Sequence, residues 1–583
     1  MGQFGLDRRL FILKFGVTFT LVSLIGVFWY VQVIKRERYL GLSQDNRIRR
    51  VWIPAPRGKI LDRHGLVMVD NRPSFDVAIE YEAIKRKKVP LNFLAASLGT
   101  TPDRIEQVTR SYHGPAYLSV PIERDVNMDL LTQVEEARFK MPWVTVEENP
   151  VRAYLLGDCA SSILGYVGAI NRQEYETLKD RGYHWLDVIG RTGVENSCES
   201  YLRGESGGMQ IEVDSRGYRE QILSIKRPVR GRDVYLTLDM KIQQTLEEIL
   251  REKRAVGIVM NPNTGEILAA VSRPGFDLNV FIKPDLKEEA LKLFKDPNRP
   301  LMNRVFQGSY APGSIFKLVV ASAGLDTGVM NETSLVHCSG SVKIGGSTFR
   351  CWKELGHGEV TLEEAIRYSC NVFFYQLGLN LGPERMAKYA KKFGFGEPTG
   401  LDVGGDRAGV IPSPLWKRQK LHEGWFRGDT ANFAIGQGFV SVTPLQMAVM
   451  VSTLANGGKL FSPSLVKKVV LPDGRTLIEM GPKEKGSLGL STSVLSLIKK
   501  GMWEVVNEGD GTGRAARLDS VEISGKTGTV QVVQHDQMIK NGWFVSFAPS
   551  QNPKYVLVLL VEGVESGGHD VAPLAKEIYE RIL

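Results

Sequence analysis

The chain of 583 residues carries only five cysteines, a single apolar run long enough to cross a membrane, and no basic stripe interleaved with aromatic side chains. Without such a stripe the usual pattern of a nucleic-acid-binding protein is missing, so we expect no nucleic-acid partner. The sequence also lacks internal repeats and low-complexity tracts, which argues against a solenoid and against a disordered chain. Its length exceeds what one hydrophobic core usually organises, so we expect more than one domain.

The one long apolar run, residues 10–34, predicts a transmembrane helix. It holds no charged residue from Phe15 to Val31, and Trp29 and Tyr30 lie near one end, as interfacial aromatic residues do. No small-residue cleavage site follows the run, which favours an uncleaved anchor over a signal peptide. Basic residues lie on both sides of it, so charge alone leaves the orientation open.

Beyond this anchor, residues 35–230 and 231–583 are expected to form two domains, with residues 1–9 as a short tail before the anchor. The first domain is rich in short β-type runs, glycines and turn signals, which indicates an extended mixed α/β region. The second opens with a strand that ends at Asp239, then a helix. Two apolar strands follow, joined by a turn over Asn261–Gly265.

Ser314 and Lys317 form an S-x-x-K motif at the start of an apolar helical run. Pro312-Gly313 breaks the chain directly before it, so the serine and the lysine are expected on one face of the first helical turn. A serine hydroxyl is a weak nucleophile until a base takes its proton, and a desolvated lysine is neutral enough to do so. Alone the motif is weak, because Ser464–Lys467 and Ser496–Lys499 repeat it.

Two further motifs follow along the chain. Ser369-Cys370-Asn371 is an S-x-N motif after a helix-like stretch, and Lys526-Thr527-Gly528 lies within VEISGKTGTVQVV. The second is similar to the end of a Walker A loop. However, Ser520 stands where that loop begins with glycine, and Val530–Val533 predicts a strand rather than the helix that a phosphate site needs. A lysine on a strand beside a glycine fits an edge that holds an extended, carboxylate-bearing peptide.

In this order the three motifs resemble the serine acyl-enzyme set of the class B penicillin-binding proteins. Longer stretches carry the same resemblance over nearly the whole chain: PRGKILDRHG and GRTGVENSCESYLRG in the first domain, and GSYAPGSIFK, TANFAIGQGFVSVTPLQMA, GKTGTVQVV and GWFVSFAP in the second. Within the family, the chain is most similar to the penicillin-binding protein 2 group, which serves cell elongation and rod shape.

The resemblance implies an α/β multidomain fold. A single N-terminal transmembrane helix would be followed by an elongated mixed α/β pedestal domain. The C-terminal domain would be a transpeptidase domain like that of the serine β-lactamases, in which helices flank an antiparallel sheet. The chain is then expected in the bacterial inner membrane, with its N-terminus in the cytoplasm and both large domains outside.

The resemblance also implies a peptidoglycan D,D-transpeptidase in which the first two motifs are catalytic. Ser314 would attack the penultimate D-Ala carbonyl of a stem peptide, and Lys317 would be its general base. Ser369 and Asn371 would relay protons and orient both Lys317 and the substrate amide. Cys370, where many relatives carry aspartate or serine, would point away from the cleft.

The third motif is implied to bind the substrate. Lys526 and Thr527 would hold the terminal carboxylate, and Gly528 would let the peptide backbone approach closely. The backbone N–H groups of Ser314 and Thr529 would form the oxyanion hole, which is usually the largest contribution in acyl transfer.

Two absent motifs refine the expected activity. The E-x-x-L-N motif of deacylating β-lactamases and the E-D-x-x-F-x-x-H-x-G motif of glycosyltransferases are both missing. The chain would therefore cross-link glycan strands without polymerising them, with D,D-carboxypeptidase activity as a side reaction. Expected partners are peptidoglycan stem peptides, β-lactams, a RodA-type SEDS glycosyltransferase and other elongation-complex proteins.

Two other functions remain open. A β-lactam-sensing receptor would reuse the same acylatable serine. It is disfavoured because only nine residues precede the span, too few for an intracellular signalling module. A catalytically weak scaffold that activates the polymerase could coexist with the transpeptidase. We interpret GDGTG, Gly509–Gly513, as a glycine turn and not as a dinucleotide site.

Three of the cysteines gather with a histidine between the first two motifs. Cys338, Cys351, His357 and Cys370 follow the pattern C-x12-C-x5-H-x12-C. A structural Cys3His zinc site uses all four residues, and we predict zinc on that ground. A Cys338–Cys351 disulfide is the alternative outside the membrane, but it leaves two residues unexplained. Free buried thiols do not account for the clustering.

The predicted metal has a consequence for the S-x-N motif. A metal bound to Cys370 would fix the backbone that aims Ser369 and Asn371, while the chemistry itself would need no cofactor. Cys159 and Cys198 lie in the first domain, and whether they are paired or free is open.

Overall fold

The computed structural model describes residues 3–37, 47–86, 89–214, 216–534 and 537–583. Its α-helices, numbered in chain order, are α1 Gln3–Trp29, α2 Tyr81–Lys85, α3 Leu91–Leu98, α4 Pro102–Ser111, α5 Met128–Ala137, α6 Ser161–Leu164, α7 Arg172–Leu178, α8 Gly193–Ser197, α9 Glu199–Leu202, α10 Met240–Leu250, α11 Lys287–Lys295, α12 Lys317–Asp326, α13 Leu362–Arg367, α14 Asn371–Leu381, α15 Pro383–Lys392, α16 Pro414–Leu421, α17 Arg427–Ala434, α18 Pro444–Ala455, α19 Thr492–Asn507 and α20 Ala572–Ile582.

The strands are β1 Ile48–Ile53, β2 Ile60–Leu61, β3 Val67–Glu80, β4 Ser119–Glu123, β5 Val144–Tyr154, β6 Val167–Ala169, β7 Val188–Gly190, β8 Gly207–Val213, β9 Arg219–Lys226, β10 Asp233–Leu236, β11 Ala255–Met260, β12 Ile267–Ser272, β13 Val336–Cys338, β14 Ser341–Ile344, β15 Ser347–Arg350, β16 Gly358–Val360, β17 Lys459–Phe461, β18 Val466–Val470, β19 Thr476–Glu479, β20 Glu484–Ser487, β21 Ser524–Gln534, β22 Gln537–Ala548 and β23 Tyr555–Glu562.

The N-terminal apolar run forms α1, which continues into a π-helical turn over Tyr30–Ile34. The span Leu10–Ile34 is long and apolar enough to cross a membrane, and none of its most apolar window is buried. Among the described residues it is the one helix that meets this test. The span has the bounds predicted for the membrane anchor.

Packing divides the chain into two compact units. The first comprises Met1–Pro56, Pro73–Val151 and Glu205–Val229, and the second comprises Arg57–Arg72, Arg152–Gly204 and Arg230–Leu583. The N-terminal part of the chain therefore contributes segments to both units. The linear boundary near residue 230 stays a prediction.

The first unit has its own small core. Helices α3, α4 and α5 contribute to it together with β3 and β4, and its buried apolar side chains include Val77, Leu94, Ile105 and Val134. The end of β3 pairs antiparallel with β4. A separate three-stranded antiparallel sheet in this unit has the order β1-β8-β9.

The second unit is organised by a five-stranded antiparallel sheet with the order β12-β11-β23-β22-β21. Its strands β11, β12 and β23 are almost continuous apolar runs, as expected of strands that are covered on both faces. Helices α10, α18, α19 and α20 pack against this sheet or against one another. The antiparallel sheet flanked by helices is thus confirmed, and β21 forms one of its edges.

A buried ion cluster joins separate segments within the second unit. Glu195 is fully buried; its Oε1 accepts from Nε of Arg152 at 2.6 Å and its Oε2 from Nη2 of Arg57 at 2.8 Å. Arg57 also bonds Glu199 at 2.8 Å. Burial opposes ionisation of Glu195, but the two arginines outweigh it and hold its pKa below the usual range. These residues lie in the PRGKILDRHG and GRTGVENSCESYLRG stretches, apart from Arg152.

Removing the central charge should destabilise the second unit strongly. We expect Glu195→Gln to lower the free energy of unfolding by about 3–5 kcal/mol, because it leaves two buried guanidinium groups without their shared carboxylate. Urea denaturation of the full chain in detergent, followed by tryptophan fluorescence, measures this loss. The matched control is Glu176→Gln, which breaks an exposed pair with Lys179; equal effects of the two substitutions would contradict a structural role for the cluster.

Candidate active site

Ser314 lies in a 3₁₀ turn, Gly313–Phe316, that leads directly into α12. Gly313 has a φ of +56°, and a Cβ atom there would lie 2.6 Å from Cγ2 of Val530. Only glycine meets both conditions, so the turn can lie directly against β21. The sequence pattern placed Ser314 in the first α-helical turn; the α-helix instead begins at Lys317, and the tighter turn carries the serine.

The loop before the serine is held by main-chain hydrogen bonds. The N–H of Tyr310 donates to the carbonyl of Val442 at 2.9 Å, and the reverse bond measures 2.8 Å. The N–H of Gly313 donates to the carbonyl of Gly436 at 2.9 Å. Val442 and Gly436 belong to the TANFAIGQGFVSVTPLQMA stretch, so this stretch braces the nucleophile loop.

Lys317 is completely buried and donates three hydrogen bonds from Nζ. The acceptors are the carbonyl oxygen of Ser369 at 2.8 Å, its Oγ at 3.2 Å and Oδ1 of Asn371 at 2.7 Å. Burial lowers the pKa of Lys317 to about 8, although Cys370 and Cys351 act in the opposite direction. The structure therefore brings the S-x-x-K and S-x-N motifs into direct contact.

The S-x-N motif occupies the junction between α13 and α14. Ser369 has a φ of +55°, and the N–H of Cys370 donates to the carbonyl of Ala365 at 3.0 Å. Asn371 is the first residue of α14, and its N–H donates to Sγ of Cys351 at 3.4 Å. The left-handed backbone at Ser369 turns the chain so that the flanking side chains reach Lys317 while Cys370 is buried.

The K-T-G residues lie on β21, which is a strand as predicted. Lys526 is buried, and its Nζ donates to the carbonyl of Thr527 at 3.1 Å. Burial lowers the pKa of Lys526 well below its usual range, and the nearby charge of Lys317 acts in the same direction. The S-x-x-K and K-T-G lysines therefore share one poorly solvated region.

Gly528 and Thr529 lie where β21 meets the nucleophile turn. A Cβ atom on Gly528 would lie 3.3 Å from Cγ1 of Ile315 and 3.4 Å from the carbonyl oxygen of Pro312. Oγ1 of Thr529 accepts a hydrogen bond from the N–H of Gly567 at 3.1 Å. The structure thus brings all three motifs to one end of the β21 edge.

The sequence motifs did not include Thr512, which joins two of them. Its Oγ1 accepts from Oγ1 of Thr527 at 3.0 Å and donates to the carbonyl of Arg367 at 3.2 Å. Arg367 lies two residues before Ser369. Thr512 belongs to the GDGTG turn, Gly509–Gly513, which we interpreted only as a turn, and no sequence signal marks its hydroxyl.

The four cluster residues converge beside the S-x-N motif. Their potential ligand atoms, the three Sγ atoms and one ring nitrogen of His357, all lie within 4.8 Å of one another. Nδ1 of His357 is 3.6 Å from Sγ of Cys338 and 3.6 Å from Sγ of Cys351. All five cysteines are free and buried, so the structure has no Cys338–Cys351 disulfide and leaves Cys159 and Cys198 unpaired.

Family comparisons cover most of the chain. Residues 52–236 match the penicillin-binding protein dimerisation domain, and residues 255–580 match the penicillin-binding protein transpeptidase domain. These two matched segments leave out the apolar N-terminal helix.

Individual relatives match along nearly the whole length. The chain is 31% identical to the peptidoglycan D,D-transpeptidase MrdA of Haemophilus influenzae, over 99% of this chain and 91% of that protein. It is similar in structure to penicillin-binding protein 2 of Helicobacter pylori in complex with MreC, with a TM-score of 0.79, 27% identity and coverage of 91% of this chain and 99% of the other. It is also similar to a chain of a peptidoglycan synthase complex that coordinates polymerization and crosslinking, with a TM-score of 0.73, 30% identity and coverage of 98% and 97%.

Proposed function

The chain belongs to the class B penicillin-binding proteins of the penicillin-binding protein 2 group and is a peptidoglycan D,D-transpeptidase, and from this premise we propose how its residues divide the reaction. The observation that carries the proposal is the contact between Lys317 and the Ser369–Asn371 segment. Lys317 lies three residues after Ser314 in the chain. Binding of peptidoglycan stem peptides and of β-lactams is general to this family.

Ser314 is the proposed nucleophile and Lys317 its base. The buried lysine has a pKa of about 8, so at pH 7 a minor fraction of the molecules holds an uncharged amine that can take the hydroxyl proton of Ser314. The oxygen of Ser314 then attacks the carbonyl carbon of the penultimate D-Ala. Ser369 and Asn371 accept hydrogen bonds from Nζ, and in this proposal they orient the amine and pass the proton towards the leaving amino group.

The edge of β21 is the proposed substrate site. An extended stem peptide can lie along it, since the strand is an edge of the sheet and pairs only with β22 among the described strands. The N–H groups of Ser314 and Thr529 would bind the developing oxyanion. Thr527 would donate to the terminal carboxylate, and that carboxylate would favour the charged form of the buried Lys526.

We also propose a structural zinc ion on Cys338, Cys351, His357 and Cys370. In a tetrahedral site, zinc bonds of about 2.3 Å to sulfur and about 2.1 Å to nitrogen place a sulfur ligand and the nitrogen ligand about 3.6 Å apart. In the structure, Nδ1 of His357 lies at that distance from Sγ of both Cys338 and Cys351. A closed four-ligand site supplies no chemistry to acyl transfer. Its effect would be positional, because the Cys351 sulfur also accepts the N–H of Asn371.

The membrane span supports a proposal about partners and location. One apolar helix at the N-terminus gives a single-pass anchor, and a similar chain is part of a peptidoglycan synthase complex. We propose that the N-terminus is cytoplasmic, that both large domains lie outside the inner membrane, and that a RodA-type SEDS glycosyltransferase and other elongation proteins are the partners.

Residues 35–230 would form the pedestal and 231–583 the transpeptidase domain, which limited proteolysis near residue 230 would test.

Labelling with a fluorescent penicillin tests the nucleophile. The full chain in detergent should take up one covalent label, and Ser314→Ala should take up none, because the variant lacks the hydroxyl proposed to form the ester. Ser496→Ala is the matched control, since it removes the serine of another S-x-x-K motif, and it should label fully. Covalent label on the Ser314→Ala variant would contradict the assignment of Ser314 as the nucleophile.

Product analysis separates a transpeptidase from a sensor or a scaffold. With lipid II and a RodA-type polymerase, the wild-type chain should yield cross-linked muropeptides, and Ser314→Ala should yield uncross-linked glycan only. Cross-links that persist in the variant, or none with wild type, would contradict the proposed chemistry.

The rate of penicillin acylation should depend on pH through Lys317. Below its pKa of about 8 the amine carries the proton and cannot accept another, so the rate should fall about tenfold for each pH unit and level off at higher pH. Stopped-flow acylation rates give this profile. Lys499→Met removes the lysine of the Ser496–Lys499 motif, outside the site, and should leave the profile unchanged. A flat profile for the wild-type chain would exclude Lys317 as the titrating base.

Elemental analysis of protein purified without chelators tests the metal. We expect about one zinc ion per chain, which Cys338→Ser should reduce because one of four ligands is lost. Cys159→Ser, a buried cysteine outside the cluster, should keep its zinc. Cys338→Ser should also slow acylation although Cys338 lies far along the chain from Ser369. Little metal together with a Cys338–Cys351 disulfide found by mass spectrometry would favour the alternative.

A further inference from the structure

Trp543 is a completely buried residue on β22, the strand next to the β21 edge of the five-stranded sheet. On β22 it pairs with Gly528 of the K-T-G strand on one side and with Leu560 of β23 on the other. Strands on both sides fix its backbone, so the indole projects from one of the most constrained positions of the fold.

The indole N–H reaches the nucleophile loop. Nε1 of Trp543 donates to the carbonyl oxygen of Ala311 at 3.1 Å. Its ring meets the ring of Tyr310 edge to face, with centroids 6.1 Å apart and planes at 89°. Ala311 and Tyr310 lie three and four residues before Ser314. The Trp543 side chain, rather than strand pairing, therefore connects the sheet to the loop before the serine.

The same residue also contacts the K-T-G strand. A Cβ atom on Gly528 would lie 3.3 Å from Cβ of Trp543 and 3.4 Å from the carbonyl oxygen of Pro312. Trp543 therefore touches both elements whose N–H groups, on Ser314 and Thr529, are proposed to meet at the oxyanion. Oxyanion donors act only within a narrow distance range, and a shift of about 1 Å in a reacting group can cost about a hundredfold in rate.

We infer that Trp543 is a positioning residue for acyl transfer, whose indole N–H sets the separation between the nucleophile loop and the K-T-G strand. It touches neither the substrate nor the reacting atoms. This inference rests on the proposed function, because it assumes that Ser314 is acylated opposite β21. Loss of the N–H would leave the Ala311 carbonyl without this donor, and the loop could relax away from the strand.

Two substitutions at this position isolate the hydrogen bond. Trp543→Phe keeps an aromatic ring without the N–H, and 3-benzothienylalanine at residue 543 keeps the indole shape while sulfur replaces the N–H. The full chain in detergent is reacted with a fluorescent penicillin over a concentration series. That series separates the rate constant of acylation from the dissociation constant of the initial complex. Both variants should acylate at least about tenfold more slowly, with the dissociation constant within about twofold of wild type.

The matched control is Phe547→Leu, a change at another fully buried aromatic residue on the same strand that is paired with Ser524. It should lower the unfolding midpoint and leave the acylation rate constant unchanged. An unchanged rate constant in both Trp543 variants would overturn the inference, and so would an equal loss in Phe547→Leu. If the wild-type chain itself is not labelled at Ser314, the proposed function fails instead, and the two failures are thereby distinct.

Discussion

The burial of the Lys317 amine is the constraint on which the rest of the site depends. A buried ammonium group is costly unless acceptors surround it, and here Ser369 and Asn371 supply three. Those acceptors favour the charged form, yet burial prevails and lowers the pKa to about 8. Lys526 lies in the same poorly solvated region, where burial and the charge of Lys317 both lower its pKa. A neutral amine is thus available near physiological pH.

The three motifs come from distant parts of the chain. Each belongs to a different element: the nucleophile to a 3₁₀ turn before α12, the S-x-N segment to the junction of α13 and α14, and the K-T-G residues to an edge strand. No single element presents a serine, an amine, proton-relay groups and a peptide-binding edge in one place. Glycines make the close approach of these elements feasible, as Gly313 shows with its positive φ and its contact with β21.

Much of this site could be predicted from the sequence because its chemistry depends on residue types in a fixed order. The structure brings Lys317 to Ser369 and Asn371 and places the nucleophile turn against the K-T-G strand. The apolar anchor was evident from the pattern of apolar residues, and the antiparallel sheet was implied by the family resemblance. Thr512 was missed because a hydroxyl in a glycine turn has no pattern of its own. The packing of residues 57–72 and 152–204 in the second unit has no local sequence signal either. It depends on long-range contacts such as the pairing of β2 with β10, which local periodicity does not encode.

Residues that never touch the substrate explain the departures from the motif pattern. The middle residue of the S-x-N motif, Cys370, has no proposed role in the cleft. Its side chain instead completes the four-residue cluster with Cys338, Cys351 and His357. Asn371 is connected to that cluster through its own N–H and to Lys317 through its side chain. A displacement of the cluster must therefore move an acceptor of the buried amine. Because desolvation sets the pKa of Lys317, such a movement would alter both the position and the proton affinity of the base.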